Sequence, residues 1–91
     1  MTEVATSDVP VLLDFTAPWC SPCRVLAPVV HKVAAERAGR LKVGTVDNDE
    51  NQALATRFGV RGLPTLVLLV RSEEVARHLG VTTREKLLAM V

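Results

Sequence analysis

Val9-Pro10-Val11-Leu12-Leu13-Asp14-Phe15-Thr16, followed after Ala17-Pro18 by Trp19-Cys20-Ser21-Pro22-Cys23, is the stretch that decides how this chain folds. Its first half is a short, near-continuous apolar run, the pattern of a strand covered on both faces and therefore central in its sheet. Its second half hands over to a helical pattern. From Cys20 to Ala38, Leu26, Val29, Val30, Val33 and Ala34 fall on one side and His31, Lys32, Glu36 and Arg37 largely on the other, the 3.6-residue period of an amphipathic helix. Gly39 is expected to end that helix. Pro28 inside it removes a backbone hydrogen bond and predicts a bend over residues 24–28 rather than a stop. The two cysteines of the chain thus stand where a buried strand passes into a helix N-terminus.

Working outward, Leu41 to Val46 alternates as a strand does. Asp47-Asn48-Asp49 reads as a turn able to cap a helix over Glu50 to Phe58. Gly59 and Gly62 mark a loop into Leu63-Pro64, and Thr65 to Val70 is a second near-continuous apolar strand. After the charged turn Arg71 to Glu74, the segment Glu74 to Leu79 is expected to pair back as a hairpin. Gly80 breaks it, and Thr82-Thr83-Arg84-Glu85 reads as a capping box opening a last helix with Leu87, Leu88 and Val91 on its apolar side. The order β-α-β-α-β-β-α predicts an α/β fold: a mixed four-stranded sheet with helices on both faces, a three-layer sandwich.

Composition narrows the function. The length of 91 residues suits one core, and no linker or repeat interrupts it, so residues 1–91 read as a single domain. The core is aliphatic, with Phe15, Trp19 and Phe58 the only aromatic residues. A formal net charge of +1, with basic and acidic residues intermixed, leaves no basic stripe for a phosphate backbone, so nucleic acid is not an expected partner. Met1 to Asp8 lacks the positive start and apolar stretch of a signal peptide, and no apolar run approaches membrane-spanning length. Cytoplasmic residence without membrane attachment is the resulting expectation.

Both cysteines lie in one C-x-x-C, so the pair is local and chemical rather than a staple across a secreted scaffold. Cys20 at a helix N-terminus sits among unpaired backbone N–H groups at the positive end of the helix dipole, which favours its thiolate. The thiolate is the nucleophile of disulfide exchange, so Cys20 reads as the attacker. Cys23, one turn inward, is placed to resolve a mixed disulfide, and Pro22 stiffens the turn between them. Asp14 ends the buried strand just ahead of the pair. A carboxylate there is costly unless it holds a proton or carries one, which gives it a general-base role toward Cys23. Other readings of the cysteines are a static disulfide, half of a zinc site and two unrelated buried thiols. No second C-x-x-C exists, and His31 and His78 have no paired spacing with the first, so no metal site is expected. Asp14 also reads as a hydrogen-bonded strand-end carboxylate, Trp19 as a core residue, and Asp47 and Asp49 as turn and cap residues. Arg24 reads as an electrostatic aid to Cys20 or as a solvated surface residue.

The run Trp19-Cys20-Ser21-Pro22-Cys23-Arg24 resembles the W-C-G-P-C-K signature of the thioredoxin family, with Ser for Gly and Arg for Lys. Leu13-Asp14-Phe15 resembles the strand that bears that family's buried Asp, and Ala27-Pro28 its kink proline. Gly62-Leu63-Pro64-Thr65 resembles its cis-proline loop, and Gly80 the glycine beside its substrate groove. The resemblance implies protein-disulfide reduction without a bound cofactor. Electrons would come from NADPH through a thioredoxin reductase, Cys20 would attack a client disulfide and Cys23 would release the reduced client. It also implies that Gly62, Leu63 and Pro64 hold the client chain, flanked by Trp19, Pro22 and Gly80, in a protein acting as a monomer.

Several features depart from that pattern. The family's usual first strand and helix have no counterpart, leaving Met1 to Asp8 as at most a short helix remnant and Leu41 to Val46 as a bare sheet edge. Thr45 stands where the family commonly has Lys near the buried Asp. Phe15-Thr16 replaces a bulkier aromatic. Within the same class, a specialised thiol oxidoreductase with a restricted client is the alternative, though Pro22 favours the reducing type. A thioredoxin-fold binding or scaffold module is the alternative from another class. A glutaredoxin is disfavoured because Ser-Pro, not Pro-aromatic, lies between the cysteines.

Overall fold

The computed structural model describes residues 8–91. The expected helix remnant at Met1 to Asp8 therefore lies, apart from Asp8, outside the described residues. The central strand is β1, Val11–Thr16, in which only Thr16 is not fully buried. It pairs in parallel with β2, Lys42–Asp47, in register from Val11 opposite Lys42 to Thr16 opposite Asp47. On its other side it pairs antiparallel with β3, Thr65–Val70, which pairs antiparallel with β4, Glu73–Leu79. The order β2-β1-β3-β4 makes the expected mixed sheet of four strands. Among the described residues β2 is an edge, as expected from the departure from the family pattern.

Successive residues of a strand face opposite ways, so the apolar runs of β1 and β3 serve two cores. Leu12, Leu66 and Leu68 pack with Leu26, Val30 and Val33 of helix α1, Ser21–Glu36, and with Leu87 of helix α3, Arg84–Met90. Val11, Leu13, Phe15, Val67 and Leu69 face the other way, against Ala55 of helix α2, Gln52–Arg57, and Val46 of β2. Phe58, just past α2, meets Phe15 with ring centroids 5.8 Å apart and planes tilted by 57°. Each fully buried side chain of this size stabilises the fold by about 1.5–3 kcal/mol over leaving it exposed. Both layers are therefore held by the central strand pair.

The element boundaries differ from expectation where backbone detail decides. Helix α1 runs unbroken through Pro28 but stops at Glu36, with Arg37 as C-cap, before Gly39 takes φ +81° in the following turn. The last helix is capped by Thr83, whose hydroxyl accepts from the Lys86 N–H at 3.2 Å, rather than by Thr82. Glu85 is thereby one residue too early to close a capping box and instead approaches Arg84 at 3.5 Å. Arg84 also pairs with Glu36, its Nε 2.8 Å from Oε2, tying the start of α3 to the end of α1. The β3–β4 hairpin closes through the two-residue turn Arg71-Ser72, at φ 50° and 72°. Two positive φ values suit the twist of a tight hairpin, although neither residue is Gly or Asn.

Candidate active site

β1 and β2 run in parallel and end at the same edge of the sheet, so the segments that follow them are neighbours. The Asn48 N–H donates to the Thr16 carbonyl at 2.8 Å and stitches the two ends together. At this edge Cys20 is the N-cap of α1, with extended backbone at φ −89° and ψ 105°, and Pro22 occupies the first helical turn. The Cys20 Sγ accepts from the Cys23 N–H at 3.2 Å, so one orphan donor of the helix end points at the sulfur. Cys20 and Cys23 are disulfide-bonded with Cα atoms 5.3 Å apart, and both are buried. Ala17 and Leu63 pack around the pair.

Asp14 on β1 is only 6% exposed, with an Oδ1 that is buried and accepts no hydrogen bond. Strand alternation sets it on the face of Leu12, toward α1. Desolvation pushes its carboxyl up from the ordinary 3.8 to about 6, opposed by the charge on His31. At least one oxygen of the Asp14 carboxyl is thus without a partner among the described residues. Its register partner on β2 is Thr45, which brings no positive charge.

The cis peptide bond falls at Leu63-Pro64, as the resemblance implied. Pro64 is buried, and its carbonyl accepts from the Gly80 N–H at 2.8 Å, which brings the end of β4 against the loop. Gly80 takes φ +98°, a conformation that side chains disfavour. Thr65 braces the loop by donating its hydroxyl to the Gly62 carbonyl at 2.6 Å. Leu63 packs against both the cysteine cluster and the core beneath α2, bridging the two. Leu63 thus joins the cysteine cluster to the loop, and the Gly80 N–H joins the loop to the end of β4.

Trp19 is 66% exposed, which removes the core-packing reading. Its indole Nε1 donates to Asp49 Oδ2 at 2.7 Å. Asp49, read from the sequence as a turn and cap residue, is thus also the partner of the Trp19 indole. The available signal was topological: a carboxylate following β2 arrives beside whatever follows its parallel neighbour β1, the edge where α/β sheets place their sites. Asp47 is the turn residue, its Oδ1 accepting from the Asp49 N–H at 2.9 Å. Arg24 is exposed and donates to the Pro18 carbonyl at 2.5 Å, bracing the segment that carries Trp19. His31 is exposed and His78 partly so, and among the described residues no three metal-ligating side chains converge.

Comparison with known proteins identifies the family. A family model described as Thioredoxin matches residues 1–91. A thioredoxin of Haemophilus influenzae is 45% identical over 84 residues, spanning 92% of this chain and 78% of that protein. Thioredoxin 1 of Nostoc sp. is 45% identical over 85 residues, spanning 93% and 79%. Among solved structures, a mutant thioredoxin from Halobacterium salinarum superposes with a TM-score of 0.88 at 42% identity, over 97% of this chain and 76% of that one. Chloroplastic thioredoxin z gives a TM-score of 0.87 at 33% identity, over 98% and 80%.

Proposed function

This chain belongs to the thioredoxin family of thiol–disulfide oxidoreductases, and from that premise we propose that Cys20 is its attacking sulfur, Cys23 its resolving sulfur and Asp14 the base that serves Cys23. The observation that carries the assignment is the position of Cys20 as N-cap of α1, with the Cys23 N–H directed at its sulfur. A thiolate there gains a charge-assisted hydrogen bond and the helix dipole, whereas a thiolate at Cys23 would not be at the helix cap.

The cycle balances as two exchanges. In the reduced protein the Cys20 thiolate attacks one sulfur of a client disulfide, forming a mixed disulfide and expelling the other client sulfur as a thiolate. Cys23 then gives its proton to Asp14 and attacks the Cys20 sulfur. The Cys20–Cys23 bond forms, and the second client thiolate leaves and takes up a proton. Two electrons have passed to the client. A carboxyl with a pKa of about 6 is ionised enough at neutral pH to take the Cys23 proton and basic enough to do so better than an ordinary Asp.

The partners are disulfide-containing client proteins and a reductase that restores the dithiol, and no bound cofactor takes part. We assign the donor as a thioredoxin reductase fed by NADPH. The client chain lies against Gly62, Leu63 and Pro64, with Trp19, Pro22 and Gly80 flanking it. Residues 1–91 act as one domain and as a monomer in the cytoplasm, where thiol pairs are kept reduced. No described helix is long and apolar enough to cross a membrane.

The deciding experiment is equilibration in graded dithiothreitol or glutathione buffers, read by thiol alkylation and by Trp19 fluorescence. A two-electron transition near roughly −270 mV, as in thioredoxin, is expected, whereas roughly −120 mV, as in DsbA, would make the protein an oxidant. No reversible transition would leave a scaffold module or a static disulfide. Cys23→Ser should trap the client as a mixed disulfide visible by mass spectrometry, and Cys20→Ser should trap none.

A further inference from the structure

Gly59, Arg61, Gly62, Thr65, Arg77 and Leu79 line a pocket of about 190 Å³ beside the cis-proline loop. It exists because α2 ends at Arg57, leaving the adjoining face of β4 open, with Leu79 62% exposed. The guanidinium of Arg77 bridges part of the gap, donating to the carbonyls of Phe58 and Gly59. Gly62 lies close against this leucine, since a Cβ there would come within 3.2 Å of Leu79 Cδ1.

Size, lining and charge restrict what fits. Sites for whole small molecules run to roughly 300–1,000 Å³, so this pocket suits a single side chain. Its walls are mostly carbon: glycine backbone, Leu79 and the stems of the two arginines. The charge of Arg77 is already met by Glu74, with Nε donating to Oε2 at 2.8 Å and Nη2 to Oε1 at 2.7 Å. Arg61 is exposed and has no hydrogen bond or ion pair among the described residues, and no carboxylate lines the pocket. Gly62 belongs both to this pocket and to the client groove, so a chain lying in the groove passes its mouth.

We propose that the pocket is a specificity subsite for a glutamate of the client, lying within a few residues of the reactive cysteine, with its apolar stem against Leu79 and its carboxylate facing Arg61. The subsite rests on the client groove assigned above and extends it from generic backbone capture to selection of acidic flanking sequence. A strand advances about 3.3 Å per residue, so only a few client positions reach it.

The test uses cystine peptides with Gln at every flanking position and Glu introduced at one position at a time. At the best position the protein should reduce the Glu peptide with kcat/KM about two- to five-fold above the Gln parent, the range for an exposed ion pair, and the gain should sit in KM. Arg61→Gln should abolish the preference, Arg61→Glu should transfer it to Lys peptides, and added salt should shrink it. Equal rates for Glu and Gln at every position, a preference that survives Arg61→Gln, or a preference for Leu over Glu would overturn the subsite while leaving disulfide reduction intact. Binding of the same peptides to the Cys20→Ser, Cys23→Ser double variant, read by Trp19 fluorescence, separates the two claims. Glu selection there without turnover in the parent protein would retain the subsite and reject the reductase.

Discussion

The two faces of the sheet are finished differently. On one, α1 and α3 cover Leu12, Leu66 and Leu68, and Leu66 is fully buried. On the other, the six-residue α2 covers β1 and the near part of β3 but leaves β4 open, so Leu79, register partner of the buried Thr65, is 62% exposed. The closed face holds the buried Asp14, the base proposed for Cys23. The open face meets the cis-proline loop, proposed to hold the client, at Gly62 and Leu79. A proton carrier gains from a low-dielectric setting because its pKa rises there, whereas a recognition surface must stay accessible to bind. One sheet supplies both by unequal coverage.

The contrast is broken most forcefully by truncating one leucine on each face. Leu66→Ala should cost about 3–4 kcal/mol in urea unfolding, for lost burial plus the cavity it leaves. Leu79→Ala should cost under about 1 kcal/mol. Similar losses at the two positions would show that the open face is closed in solution.

Asp14→Asn sharpens the comparison on the closed face. Folding raises this carboxyl from 3.8 to about 6, so the folded protein binds more protons than the unfolded one between those values. Stability therefore falls as pH rises through that window. The variant should be more stable than the parent by about 1–2 kcal/mol at pH 8, a shift of this size discounted for residual solvent contact, and the gain should vanish below roughly pH 4. Reduction of a client disulfide should slow by about 10-fold, because Cys23 loses the group that takes its proton. A gain at every pH with no change in rate would remove the base role.

Smaller effects are expected at the rim and the far end. Asp49→Ala frees the Trp19 indole and should shift its fluorescence and raise KM for clients by about 2- to 5-fold, with stability changed by no more than about 1 kcal/mol. Unchanged fluorescence would mean that the indole does not depend on Asp49. Arg71→Asn, at a hairpin position with φ 50°, should add about 0.5 kcal/mol to unfolding stability without touching the site.

Local pattern sufficed for much of this protein. The apolar runs Val11–Thr16 and Thr65–Val70, the helical period after Cys20, and a C-x-x-C at a strand-to-helix junction determined the layers and the redox pair, because burial periodicity and helix-end electrostatics act over a few residues. Tertiary structure decided the rest. Whether Thr82 or Thr83 caps α3 depended on how that helix docks, with Arg84 reaching Glu36. The partnership of Asp49 with Trp19 joins residues 30 apart in sequence and exists only because β1 and β2 are parallel and in register. The bare Oδ1 of Asp14 and the open face at Leu79 follow from what α1 covers and α2 does not reach. Coverage depends on three-dimensional packing between distant segments, and periodicity along the chain carries no record of it.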